Sequence, residues 1–194
     1  MLTESFYQQD AVTLAQALIG CELVHTTEQG TTAGIIVETE AYSQDDEASH
    51  SFRGQTKRNA VMFGPAGHAY IYFTYGMHYC MNVVAGPEGR AEAVLIRALQ
   101  PSQGIELMKA RRGTDELHNL CSGPAKLVQA MGILHEQNGM SLMEEKLFIT
   151  PAVKLLEIKA TPRIGIRQAA DKPWRFIARN SLFITNHKFN RLNA

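Results

Sequence analysis

Residues 69–84, AYIYFTYGMHYCMNVV, restrict the fold of this 194-residue chain more than any other segment. Two runs of aromatic and β-branched side chains, the residue types that suit a pleated, half-buried surface, meet at Tyr75-Gly76. They read as a β-hairpin or a sharp strand junction. GIIVETEAY at 34–42 alternates apolar and polar residues, the pattern of a half-buried strand, and 93–99 supplies another. KLFIT at 146–150, VKLLEI at 153–158 and SLFIT at 181–185 read as further short strands. Helical patterns are fewer. One is expected from Ala11 to Ile19, capped by Asp10 and stopped by Gly20; others are expected at 102–112 before Gly113 and at 123–131 before Gly132, the latter capped by Ser122. The expectation is a single α+β domain spanning 1–194: a mainly antiparallel, curved sheet with flanking helices and a protruding β-hairpin.

Hydrophobic residues make up 45% of the chain and charged ones 20%, enough for one ordinary core. No stretch approaches the ~20 apolar residues of a membrane span, and nothing near Met1 has the pattern of a leader, so a soluble, cytoplasmic protein without a membrane partner is expected. Cys21, Cys80 and Cys121, an odd number at unrelated spacings, read as buried small side chains. The net charge of zero conceals a division. Residues 1–50 hold nine acidic residues and no Lys or Arg, whereas 159–194 hold eight Lys or Arg against the single Asp171. Neutrality therefore permits a basic face, and Arg163, Arg167, Lys172, Arg175 and Arg179 are its candidate phosphate contacts.

Within 34–42, Glu38, Glu40 and Tyr42 recur at period two and share one face of the strand; Val37, Thr39 and Ala41 share the other. Carboxylates in an apolar strand are costly to bury unless paired, and a cleft is where that cost is tolerated. A general base is one reading. An exposed strand face whose glutamates meet solvent or an arginine is the other, and periodicity alone leaves both open.

The wider pattern narrows the choice. VETEAY at 37–42, DEASH at 46–50, QTKRN at 55–59, MFGPAGHAYIYFTYGMHYCMNV at 62–83, VLIRAL at 94–99, LCSGPAKL at 120–127, RIGI at 163–166 and KPWRF at 172–176 together resemble the alkyladenine (3-methyladenine) DNA glycosylase family, in the family's order. The resemblance implies a DNA repair enzyme that flips alkylated or deaminated purines out of duplex DNA and hydrolyses the bond from base to sugar, without strand cleavage. It places Glu40 on the general base that activates water, Arg97 on the arginine that orients that water, and the Ile164 backbone carbonyl on a further water partner. Tyr42, His50 and Tyr72 fall on the aromatic walls of the base pocket, and Asn82 on the position that excludes the amino group of guanine. Tyr75 falls on the residue that wedges into the vacated DNA. Expected partners are double-stranded DNA carrying damaged purines, with the protein acting as a monomer near the nucleoid; no cofactor and no metal are implied.

Other chemistries find less support. His68, His78 and Cys80 match no zinc spacing, and no Walker loop, dinucleotide fingerprint or nucleophile elbow occurs. Two alternatives remain: a damage-binding protein that does not cut, and a hydrolase of free nucleosides, which two carboxylates alone would allow.

Overall fold

The structure, a computed structural model, describes residues 1–74, 76–152, 155–186 and 190. A single turn, α1 (Glu4–Tyr7), precedes α2 (Ala11–Ala17). Asp10 caps α2 as its position suggests, accepting from the N–H groups of Val12 and Thr13 at 3.0 Å each, two of the donors that a helix start leaves open. The helix ends earlier than the expected Ile19, with Leu18 as its last capping residue. Two strands follow, β1 (Glu22–Thr27) and the long β2 (Gly30–Tyr42).

The hairpin is present as β3 (Ala69–Thr74) and β4 (His78–Val84), in register from Ala69 opposite Val83 to Thr74 opposite His78. Next come β5 (Ala93–Gln103), α3 (Ile105–Arg112) and α4 (Pro124–Met131). Gly113 and Gly132 stop the two helices in the left-handed conformation, with φ of 62° and 69°. Two expectations need correction here. Residues 102 and 103 belong to β5, so α3 starts later than expected. Ser122 does not cap α4, whose N-cap is Gly123, with Pro124 opening the helix where a missing N–H costs nothing. The remaining strands are β6 (Met143–Glu144), β7 (Leu147–Thr150), β8 (Ile158–Thr161) and β9 (Arg175–Ala178).

Every strand pair is antiparallel, in the order β3-β4-β5-β2-β1-β7-β6, and the sheet curls into a half-barrel. β2 is its spine. One edge of β2 pairs with β5; the other pairs with β1 through its first half and with β9 across Glu38–Glu40. Three register shifts interrupt the pairing of β2 with β5, and the two that flank Glu38 leave Val37 on one strand and Arg97 on the other without a ladder partner. Such bulges bend a strand and re-aim a side chain.

The face carrying Val37, Thr39 and Ala41 meets α2, where Thr39 donates to the Ala15 carbonyl at 2.8 Å and Leu14 and Leu18 are fully buried. Leu127, Val128 and Met131 of α4 extend the same core. A smaller cluster of Met62, Tyr70, Val84, Ala91 and Ala93 lies beside the hairpin. Cys21, Cys80 and Cys121 are all buried and free.

The expected strands at 153–158 and 181–185 are not found. Val153 and Lys154 lie outside the described residues, 155–157 form no regular element before Ile158 opens β8, and 181–186 is irregular around a turn at 182–183. Some of their apolar residues pack singly against the main core, where Leu156, Phe183 and Ile184 are half-buried, while Leu155 and Leu182 are exposed. Among the described residues no helix is long and apolar enough to cross a membrane.

Candidate active site

Lateral pairing places Tyr70, Asn82, Leu95, Glu40 and Arg175 in one row across β3, β4, β5, β2 and β9. Residues paired directly across a sheet point to the same side. That side, opposite α2, opens into a cavity of about 330 Å³. Its walls come from the sheet (Tyr42, Tyr70, Tyr72, Cys80, Asn82, Leu95, Arg97) and from the loops carrying Ser49, His50 and Ile164–Ile166.

Glu40 is fully buried and does not itself line the cavity, but all three groups that hold it do. The Tyr42 hydroxyl donates to Oε2 at 2.8 Å, Nη1 of Arg97 donates to the same oxygen at 3.2 Å, and the Ile164 backbone N–H donates to Oε1 at 2.7 Å. Burial of a charge on this scale is tolerable only with such partners. Ile164 therefore meets the carboxylate through its N–H, whereas the resemblance implicates its carbonyl.

Arg97 stands two residues from Leu95, the direct partner of Glu40, and so shares its side of the sheet. Its Nε donates to Oε1 of Glu38 at 3.2 Å, so one guanidinium spans both carboxylates, and Nη2 has no partner among the described residues. Burial alone would weaken the guanidinium's hold on its proton, but the charges of Glu40 and Glu38 outweigh this and raise its pKa. Glu38 also accepts from Nε of Arg175 at 2.6 Å and from the Thr185 N–H at 2.6 Å. Both glutamates thus sit on one strand face, as their spacing requires, but in different surroundings.

The rings form the cavity walls. His50 stands edge-on to Tyr72 with centroids 4.5 Å apart, and its Nδ1 lies 3.1 Å from the Tyr70 hydroxyl. Burial, then the nearby Arg58 charge, lowers the His50 pKa, which favours the neutral imidazole. Burial also keeps the phenols protonated: Tyr70 is pushed up to about 12, and Tyr42 goes well above its ordinary value, with the Glu40 charge adding to the effect. The Asn82 amide donates to the Tyr70 carbonyl at 3.1 Å, which fixes its orientation at the cavity wall. Tyr75 lies outside the described residues. Its neighbours Gly76 and Met77 are exposed at the hairpin tip.

Tyr70 in the cavity wall and Arg58 behind the Tyr72 ring escaped the sequence reading, although for one of them a signal was available. Tyr70 is two residues from Tyr72 and must share its strand face, yet in an aromatic run it passes for core. Arg58 gives no such signal. It donates to the Phe73 carbonyl at 2.8 Å and lies 5.6 Å from the Tyr72 ring centroid. His68 bonds to carbonyls of its own turn, and among the described residues no three His, Cys, Asp or Glu side chains are grouped to hold a metal ion.

Part of the charge division along the chain is resolved by pairing inside the protein. Arg163 and Arg175, two of the candidate phosphate contacts, are buried. Arg163 grips Asp46 through both terminal nitrogens, donates to the Ala41 carbonyl at 2.9 Å and lies 4.7 Å over the Tyr42 ring. Arg175 pairs with Glu38. Both are removed from any phosphate. Arg167 and Arg179 are exposed, Arg179 paired with Glu157, while Lys172 is half-buried beside Asp46 and Trp174.

These features define a class: an α+β protein whose curled antiparallel sheet holds a buried carboxylate and its arginine beneath an aromatic cavity suited to a flat ring. The chain belongs to the methylpurine-DNA glycosylase family, whose profile matches residues 5–182. A relative from Methanoculleus marisnigri is 53% identical over 189 residues, covering 95% of this chain and 98% of its own. Another, from Carboxydothermus hydrogenoformans, is 50% identical with the same coverage, and one from Agrobacterium fabrum is 50% identical over 94% of this chain and 91% of its own. All three are provisionally named 3-methyladenine DNA glycosylases.

Proposed function

We propose that the protein is a DNA glycosylase that removes 3-methyladenine, and with it related purine lesions such as 7-methylguanine, hypoxanthine and ethenoadenine, by hydrolysis. The observation that carries this reading is the buried Glu40, held by Arg97, Tyr42 and the Ile164 N–H at the edge of an aromatic cavity. The cavity lies at the small end of the ~300–1,000 Å³ usual for ligand sites. Reaching it requires a base to leave the duplex, which costs a few kcal/mol of stacking. The tyrosine rings return part of this, and Tyr75, which follows β3 in the sequence, would fill the vacated space.

Glu40 accepts a proton from water as the water oxygen bonds to the anomeric carbon. The electrons of the base–sugar bond leave with the purine; a cationic alkylated purine thereby departs neutral and needs no acid. Developing positive charge on the sugar gives the carboxylate a second, electrostatic role. Arg97, with Nη2 uncommitted, is suited to orient the water. No lysine lines the cavity among the described residues, so the chemistry stops at an abasic site. The reaction needs only water and duplex DNA.

Duplexes with one 3-methyladenine, one hypoxanthine or no lesion test this when abasic sites are revealed by alkali. Strand breaks after alkali in the lesion duplexes, and none without it, are expected. Tight binding without any abasic site would instead make the protein a damage reader, and release confined to free nucleosides would make it a nucleosidase.

A further inference from the structure

We propose that Glu38 is a positioning residue for Arg97, held in place by a ring of hydrogen bonds that the segment after β9 completes. This rests on the hydrolytic role of Glu40 proposed above.

Glu38 has no oxygen directed to the cavity. Oε1 accepts from Arg97 and Arg175, and Oε2 accepts from the Thr185 N–H. It is fully buried, and it is absent from the cavity wall. Arg175 is fixed in turn: its Nη1 donates to the Thr161 hydroxyl at 3.0 Å and its Nη2 to Oδ1 of Asn190 at 2.8 Å. The Asn190 amide donates to the Thr185 carbonyl at 2.8 Å. Glu38, Arg175, Asn190 and Thr185 therefore close a ring behind Arg97. Thr185 and Asn190 lie past residue 182, where the family match ends.

The ring matters because Arg97 sits on a bulge, and its direction depends on what its side chain meets. A guanidinium next to one carboxylate prefers to fork onto it with two parallel bonds. Glu38 takes Nε, so that only Nη1 is left for Glu40 and the far edge stays open to the cavity. Without Glu38, Arg97 would close over both oxygens of Glu40 and occupy lone pairs that a water must reach.

The test replaces the buried pair by apolar residues of similar length, Glu38→Leu with Arg175→Met. One negative and one positive charge are removed together, so no charge is orphaned. The readouts are thermal midpoint, affinity for a 3-methyladenine duplex, and single-turnover excision. Excision at least ~10-fold slower, with affinity within ~2-fold, is expected of a misplaced Arg97. Asn190→Ala, which touches neither glutamate, is run beside it and should slow excision about 3-fold at unchanged affinity. Glu38→Gln should recover part of the rate: its amide oxygen can still accept from Nε, while its NH₂ meets the Thr185 N–H donor and the buried Arg175 loses its charge partner. Wild-type single-turnover rates in the folded double variant and in Asn190→Ala would overturn the proposal, as would losses that only follow the folded fraction. If instead the wild-type protein excises nothing, it is the function reading that fails.

Discussion

At Asn82 a single contact decides what the side chain can do. Its amide donates to the Tyr70 carbonyl, so the group cannot swing away from a ring entering the cavity. A fixed group at the purine edge can reject guanine by clash with its amino group, a form of discrimination that needs no attractive contact. Asn82→Ser should therefore release normal guanine from duplex DNA at a measurable rate while 3-methyladenine excision stays within a few-fold. Guanine release indistinguishable from wild type would make Asn82 a structural residue. Period two rightly put Glu38, Glu40 and Tyr42 on one face, because strand geometry is local. It could not separate the two glutamates. Their difference lies in Arg175, Thr185 and Ile164, more than 120 residues further along the chain. The same distance hides Arg163, whose partner Asp46 lies 117 residues away; a basic residue read alone is assigned to the surface.

Among the elements, α4 and β1 are joined by a buried histidine that no local pattern marks. Nδ1 of His25 meets the Met131 carbonyl at 2.9 Å, and the Gln137 amide lies 3.3 Å from Nε2 while its oxygen accepts from the Leu134 N–H. A carbonyl can only accept and an amide NH₂ only donate, so the ring must be neutral with its proton on Nδ1. Burial lowers the pKa below the ordinary 6.5, against the opposing Met131 bond. The unfolded chain then binds a proton that the folded protein refuses. His25 thus contributes full stability above about pH 6.5, and the contribution declines as pH falls from there towards the lowered folded value. The thermal midpoint should drop between pH 7 and pH 5, and His25→Gln should flatten that drop. An equal drop in the variant would assign the acid sensitivity elsewhere. The elements that sequence revealed best were those with end signals: Asp10 before α2, and Gly113 and Gly132 after α3 and α4. β9 was missed because RFIA is buried on both faces and shows no alternation. The run at 181–185 is apolar enough to suggest a strand, yet its backbone is spent on a turn and on Glu38.

For the whole molecule, the division of charge between the two ends of the chain is met in part by buried pairs, Glu38 with Arg175 and Asp46 with Arg163. Arg58 and Arg167 are exposed and are candidates for contacts to DNA phosphates under the proposed function. Each such contact displaces counterions, so Arg58→Gln and Arg167→Gln should each reduce the slope of log affinity against log salt by about 1. Arg163→Met should leave that slope unchanged and instead destabilise the fold by up to about 3–5 kcal/mol, since it leaves the buried Asp46 with Lys172, at 3.7 Å, as its remaining charged partner among the described residues. An unaltered slope in both surface variants would place the DNA on another face. The central claim, that this fold exists to let Glu40 activate water against a flipped purine, is tested most directly by single-turnover excision of 3-methyladenine from a duplex by Glu40→Gln. The substitution keeps size and hydrogen-bonding reach but removes charge and proton acceptance. Binding of the lesion duplex should persist and excision should fall by ~100-fold to 10,000-fold or more, with Glu38→Gln losing far less. Excision at the wild-type rate by folded Glu40→Gln would contradict the account.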